Sequence, residues 1–183
     1  MIVDDNTFNL MPLELILGSL NGLQCHKAFN GLEAVNLYKK SISQTLLDKT
    51  RLQQSQEYCY ECGLMIRGSH FSIDNNLSQV KFPQYKLILM DLNMPIMDGF
   101  EATQQIFQLY QQWKKDHAHS VFQGGLTAED YHLSVVAITA FVNDESIRCC
   151  YEVGMQDVMH KPVVATDIKK VLDKYYYPSR QQN

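Results

Sequence analysis

No apolar run in this sequence approaches the ~18 residues that a membrane-spanning helix needs. Residues 1–20 do not set a basic start before an apolar stretch, so no secretory leader is written there. A basic excess is missing too. Sixteen Lys and Arg stand against 20 Asp and Glu, a net charge of −4, which removes the electrostatic reason for a direct nucleic-acid partner. The five cysteines are odd in number and irregular in spacing; that excludes a complete disulfide framework, and they read as reduced thiols. No internal repeat is present. With 45% hydrophobic and 20% charged residues, the 183-residue chain reads as one ordinary globular domain with a real core. Nothing routes it out of the cytosol, so a cytoplasmic location is expected.

What the sequence does contain is an alternation of strands and helices. The run Leu87 to Met90 is continuously apolar and ends in Asp91. Such a run reads as a strand buried on both faces, the mark of a parallel sheet. Pro95 and Asp98-Gly99 then force a turn. Asp91 therefore falls at the carboxyl end of the strand, the edge where open α/β sheets bind ligands. Met1-Ile2-Val3 is a strand stub that runs into Asp4-Asp5-Asn6. Leu13, Ile16, Leu17 and Leu20 recur at helical spacing, with Pro12 expected in the first turn and Gly22 just past the end. Leu23 to Phe29 is a weaker strand closed by Asn30-Gly31, and Leu32, Ala34, Val35, Leu37 and Tyr38 mark a second helix. Ala102, Ile106, Leu109 and Tyr110 mark a third. Val135 to Ala140 is a strand ending in Thr139-Ala140. Ile147, Cys150 and Tyr151 mark a fourth helix, with Gly154 as its left-handed terminator. Val158-Met159 is a short strand entering Lys161-Pro162, and Val164, Ile168, Val171, Leu172 and Tyr175 give the last helix. This pattern predicts an α/β fold, a doubly wound five-stranded parallel sheet.

Two stretches break the alternation, about 43–84 and 114–132. Both are polar and lack periodic apolar positions, so they read as surface insertions, the first part helical from Gln44 to Gln56. The expected organisation is a single domain over 1–177 and a polar tail over 178–183.

Asp4, Asp5, Asp91, Thr139 and Lys161 all fall at carboxyl ends of predicted strands, which share one edge of a parallel sheet. Clustered carboxylates raise one another's pKa. A hard divalent cation bound through oxygen relieves that, and Mg²⁺ commonly takes one or two carboxylates while keeping several waters. Lys161 adds a point cation and Thr139 a hydroxyl. Acids, metal, lysine and hydroxyl around one carboxylate describe a phosphoryl-accepting site, where in-line positioning and cations near the equatorial oxygens suffice.

At these residues the chain resembles a response-regulator receiver domain. The resemblance rests on Ile2-Val-Asp-Asp-Asn6, on Asn30-Gly31 with Glu33-Ala34, and on Met90-Asp-Leu-Asn-Met-Pro-Ile-Met-Asp-Gly99. It continues through Ala137-Ile-Thr-Ala140, Gly154-Met155 and Lys161-Pro162. The wording is most like the receivers attached to hybrid histidine kinases. The resemblance implies a flavodoxin-like strand order 2-1-3-4-5. It implies a phosphoacceptor in a His–Asp phosphorelay: Asp91 becomes an aspartyl phosphate, with no turnover activity beyond formation and slow hydrolysis of that bond. Asp5 and Asp91 would bind Mg²⁺ directly, Asp4 through water, and the backbone carbonyl of Asn93 would be a further ligand. Lys161 would pair with Asp91 and then with a phosphoryl oxygen, Thr139 would bond the phosphoryl group, and the Lys161-Pro162 bond would be cis. The partner would be a histidine kinase or a histidine-phosphotransfer protein, with no membrane contact by this segment.

Two departures stand out. The family usually places Tyr or Phe three residues before the lysine, where this chain has Val158, which puts the form of signal output in question. Only Met1-Ile2-Val3 precede Asp4, so the natural chain is expected to begin upstream, as the receiver of a longer kinase; a short free-standing chain is the alternative. Rival functions are a phosphorylation-silent receiver that acts as a binding module and a haloacid-dehalogenase-like phosphatase. The phosphatase requires a second Asp two residues after the nucleophile, and Asn93 occupies that place without a titratable proton.

Other features carry bland readings. Cys59-Tyr-Glu-Cys62 with His70 nearby is half a zinc site without its second half. Cys149 and Cys150 read as helix residues, one inward and one outward. His160 reads as a solvated neighbour of Lys161, Tyr175-Tyr-Tyr177 as packing, and Lys169, Lys170 and Lys174 as a solvated helix face.

Overall fold

The computed structural model of the chain describes residues 1–21, 23–54, 83–119, 126–141 and 143–177, without the side chains of residues 21 and 44–54. Strands and helices alternate as β1 (Ile2–Val3), α1 (Thr7–Asn21), β2 (Lys27–Ala28), α2 (Gly31–Gln54), β3 (Leu87–Asp91), α3 (Gly99–Asp116), β4 (Ser134–Thr139), α4 (Asp144–Glu152), β5 (Asp157–His160) and α5 (Ala165–Val171). The five strands form one sheet in the order β2-β1-β3-β4-β5, every pairing parallel. This is the flavodoxin-like arrangement expected from the sequence.

Every residue of β3 and β4 is buried, which explains their unbroken apolar runs. Side chains still alternate between two cores. Ile88, Met90, Val135 and Ala137 face Ala34 and Tyr38 of α2, Ala102 and Ile106 of α3, and Cys150 of α4. Leu87, Leu89, Val136 and Ile138 face Leu10, Leu13 and Leu17 of α1, and Ile168 and Val171 of α5. β2 and β5 are the edge strands, and β5 is only partly covered.

Several elements differ in extent from the sequence reading. Asn6 caps α1, its Oδ1 accepting from the Phe8 N–H at 2.9 Å, so the helix starts at Thr7. Pro12 therefore lies inside the helix and not in its first turn; it is exposed, where the missing donor costs least. The second strand shrinks to Lys27–Ala28. The second helix runs on through the stretch expected to be helical from Gln44, as far as Gln54. α3 extends to Asp116, and a single 3₁₀ turn covers Ala128–Asp130. Within that second polar stretch His117, Ala128 and Tyr131 are buried. Tyr110 Oη donates to the Tyr131 carbonyl at 2.9 Å, and Tyr131 Oη to the Tyr85 carbonyl. Tyr131, beyond the helix and the 3₁₀ turn, has no helical or strand period, so pattern reading does not find it. After α5 the chain continues in a wider π-helical turn over Leu172–Tyr176.

Gly154 takes φ +97° after α4, as its role as terminator requires. Cys25, Cys149 and Cys150 are free thiols, Cys150 inward and Cys149 half-exposed. The Cys59, Cys62 and His70 group and the polar tail lie outside the described residues. Among the described residues no helix is long and apolar enough to cross a membrane.

Candidate functional site

Strand register brings the site together. Val3 pairs with Met90, Asp91 with Ile138, and Thr139 with His160, so four strands end at nearly the same level. Asp4 and Asp5 follow β1, Asp91 ends β3, Thr139 ends β4 and Lys161 follows β5. One carboxylate oxygen from each of Asp4, Asp5 and Asp91 falls within 4.8 Å of the others. Lys161 Nζ lies 2.7 Å from Asp4 Oδ2 and 3.0 Å from Asp91 Oδ1. The Lys161–Pro162 peptide bond is cis. Asp4 and Asp91 are buried, whereas Asp5 is exposed.

The turn after β3 is built so that Asp91 stays in place. Gly99 N–H donates to the Leu92 carbonyl at 3.0 Å, and Asp98 Oδ1 caps α3 by accepting from Glu101 N–H at 2.8 Å. A Cβ on Gly99 would run into the carbonyl oxygen of Asp91, so only glycine fits. Ile96 takes φ +73°, and Met97 N–H reaches back to the Pro95 carbonyl at 2.8 Å. The Ile96 side chain is exposed, and the backbone hydrogen bond across it closes a γ-turn. Asn30 Oδ1 caps α2 from Glu33 N–H at 2.9 Å, and Gly31 N–H donates to the Met97 carbonyl at 3.1 Å. A Cβ on Gly31 would stand 2.6 Å from the Met97 oxygen. The Asn-Gly pair thus lets α2 dock against the turn that follows the acceptor strand.

Burial pushes the Asp91 carboxyl above its ordinary range; the hydrogen bond and charge of Lys161 oppose the rise, and Asp4 adds to it. Desolvation works to lower Lys161, but its bonds to Asp4 and Asp91 outweigh it and the ammonium is held up. The directions are compatible. One ammonium serves two carboxylates, so Lys161 is fully compensated while Asp91 has only a share of a partner.

The other expected residues are less tightly gathered. Thr139 is buried beside the cluster, but its Oγ1 accepts from Phe141 N–H at 3.1 Å and donates to the Phe141 carbonyl at 3.2 Å. Asn93 is exposed in the turn after β3. Val158 is half-buried and packs on the α2–α3–α4 core, and His160 is exposed. Asn6, named from the sequence only as part of the first motif, and Asn9, not named from it, join the site. Asp4 Oδ1 accepts from the Asn6 N–H at 2.9 Å and from Asn9 Nδ2 at 3.0 Å. The spacing Asp-x-Asn-x-x-Asn at a helix start was the available signal for both.

The donor set is all hard oxygen, and three carboxylates share one small volume beside a single ammonium. That chemistry fits Mg²⁺.

No protein-family model matches the chain. It is 37% identical over 89 residues to hybrid signal transduction histidine kinase B of Dictyostelium discoideum, an alignment covering 49% of this chain and 4% of that protein. It is 29% identical over 175 residues to the sensor histidine kinase RcsC of Escherichia coli, covering 96% of this chain and 12% of RcsC. The chain thus spans a small fraction of the length of these relatives. In fold it is similar to the Saccharomyces cerevisiae receiver domain of Ssk1, solved with the histidine phosphotransfer protein Ypd1, at TM-score 0.63 and 21% identity, covering 100% of this chain and 90% of that one. It is also similar to the receiver domain of the Arabidopsis thaliana histidine kinase CKI1 complexed with Mg²⁺, at TM-score 0.56 and 21% identity, covering 93% and 88% of the two chains. Motifs, strand order and relatives agree: the chain has the receiver-domain fold and resembles the response-regulator receivers of two-component phosphorelay proteins, of the kind carried by hybrid histidine kinases.

Proposed function

We propose that this chain is the phosphoacceptor of a His–Asp phosphorelay, with Asp91 as the acceptor. The observation that carries the reading is the placement of Lys161 Nζ 3.0 Å from Asp91 Oδ1, beside two further carboxylates. Asp5 and Asp91 would hold Mg²⁺ directly, Asp4 through water, and the Asn93 backbone carbonyl would complete the protein ligands. When bound, the cation neutralises charge on the equatorial phosphoryl oxygens. An Asp91 oxygen attacks phosphorus in line; the O–P bond forms as the N–P bond of the donor phosphohistidine breaks. The bonding pair returns to the imidazole, which takes up a proton from solvent. Lys161 then follows the charge onto a phosphoryl oxygen, and Thr139 turns its hydroxyl from the Phe141 backbone toward the new group. The chain would form and slowly lose its aspartyl phosphate without being an enzyme in the turnover sense.

The donor is a histidine kinase or a histidine-phosphotransfer protein. Phe8, Met11 and Leu15 project from α1 into solvent, and Phe8 lines the same groove of about 240 Å³ as Asp4, Lys161 and Val163. An apolar stripe beside an acidic site suits a protein partner better than a small phosphodonor. A place as a segment of a longer kinase is supported by the length of the relatives, and the setting would be cytoplasmic.

The deciding experiment is Mg²⁺-dependent labelling by acetyl phosphate. Wild type should incorporate one acid-stable, hydroxylamine-labile phosphoryl group and Asp91→Asn none. Equal labelling of Asp91→Asn would defeat the assignment. Multiple turnover on a phosphomonoester would favour a phosphatase, and absence of Mg²⁺ binding a silent receiver.

A further inference from the structure

The Asp4 carboxylate has both oxygens engaged. Oδ1 accepts from the Asn6 N–H at 2.9 Å and from Asn9 Nδ2 at 3.0 Å, and Oδ2 accepts from Lys161 Nζ at 2.7 Å. The side chain is 2% exposed, so water does not replace a missing donor easily. Asn9 follows the Asn6 cap by three residues, which places it on the α1 face turned toward the site. It lines the groove with Asp4 and Lys161.

The terminal torsion of an Asp is broad, so hydrogen bonds decide where its two oxygens point. Two donors on Oδ1 fix the carboxylate plane and direct Oδ2 at the lysine. We propose that Asn9 is a positioning residue: by holding Asp4 Oδ1 it presents Oδ2 to Lys161 and sets the resting place of the ammonium between Asp4 and Asp91. The inference deepens the reading of Asp91 as acceptor and rests on it. Without the Asn9 amide, Asp4 rotates, its grip on Lys161 slackens, and the ammonium settles on Asp91. There it covers the attacking oxygen and competes with the cation for that carboxylate.

The test follows the Lys161 ammonium directly, by NMR of the ¹⁵Nζ-labelled protein without metal. Wild type should give a slowly exchanging, resolved ammonium signal; Asn9→Ala should shift and broaden it, and Asn9→Gln, which keeps an amide donor on a chain long enough to reach Asp4, should return it toward wild type. With Mg²⁺ present, Asn9→Ala should weaken cation binding and slow acetyl phosphate labelling by about tenfold, the loss of one hydrogen bond to a buried charge. In an Asp4→Ala background the same substitution should have no further effect, because Asn9 acts through Asp4. A purely structural Asn9 would lower the melting temperature and leave the ammonium signal in place. That result, an undiminished Asn9→Ala effect in Asp4→Ala, or an Asn9→Gln as impaired as Asn9→Ala, would overturn the proposal. Failure of wild type to label sinks the acceptor reading alone, since the metal-free ammonium signal still decides the role of Asn9.

Discussion

The Lys161 ammonium rests closer to Asp4 than to Asp91, 2.7 Å against 3.0 Å, so a single cation bridges two buried carboxylates. Removing it leaves two like charges adjacent in a poorly solvated site. Lys161→Ala should therefore destabilise the metal-free protein by about 2 kcal/mol, somewhat less than the loss of a fully buried partner because the lysine is partly solvated. Mg²⁺ should narrow that gap by supplying the missing positive charge. Urea unfolding of both proteins with and without Mg²⁺ measures it; an identical deficit in both conditions would mean that cation and lysine do not share these carboxylates.

Gly99 touches the acceptor through its backbone. A Cβ there would strike the Asp91 carbonyl and crowd Leu92 Cα, and both obstacles are main chain that cannot turn aside. Gly99→Ala should cost about 2–3 kcal/mol by overpacking. It should also displace Asp91, so that acetyl phosphate labelling falls even at temperatures where the variant is fully folded. Thermal melting and labelling on the same preparation test the two parts. A variant that melts like wild type would show that the turn yields freely.

The architecture was legible because β3 and β4 are buried on both faces and so appear as plain apolar runs ending in Asp91 and Thr139. Lys161, Asp4 and Asp5 were legible because a parallel sheet sends all its carboxyl ends to one edge. The lengths of the shorter elements were not. β2 forms only two ladder positions, Lys27 and Ala28, too few for any period to declare itself. The Asp-x-Asn-x-x-Asn spacing brings Asn9 to the turn of Asp4, but which oxygen it holds depends on the way the carboxylate faces, and that no spacing encodes. Tyr131 escaped because a single aromatic anchor in an irregular connection carries no periodicity, whereas His117 continues the buried helical spacing of Ile106, Tyr110 and Trp113 beyond the point where the polar stretch hid it. Thr139 was placed correctly at its strand end, but its hydroxyl bonds to the Phe141 backbone follow from local geometry alone.

Asp157 offers a pH test remote from the acceptor. Desolvation works to raise its carboxyl, but the bonds from Lys174, the Val158 N–H and Tyr175 prevail and hold it below the ordinary range. A depressed carboxyl stabilises the fold above its unfolded pKa of about 3.9, and that contribution disappears as pH falls through the lower folded value. Asp157→Asn should therefore unfold at a lower urea concentration than wild type at pH 6, and the two curves should draw together as the pH falls below the unfolded value of about 3.9. The difference should be small beside that of Gly99→Ala and should shrink in salt, because the Lys174 side of the pair is solvated. A gap that stays constant down to acid pH would assign the effect to packing.

The exposed stripe on α1 separates a protein donor from a chemical one. Phe8 is 83% and Leu15 71% exposed, and neither contributes to the cores. Charges placed there should leave folding within about 0.5 kcal/mol of wild type, as for other surface sites. Leu15 does not line the groove of Asp4 and Lys161, so Leu15→Asp should keep acetyl phosphate labelling close to the wild-type rate. Transfer from a phosphorylated histidine-phosphotransfer protein should slow by about tenfold or more, because an apolar contact at the centre of an interface is typically worth over 1 kcal/mol and an introduced carboxylate must also be desolvated. Equal slowing with both donors would place the defect in the site. Undiminished transfer from the protein donor would move the docking face elsewhere on the domain.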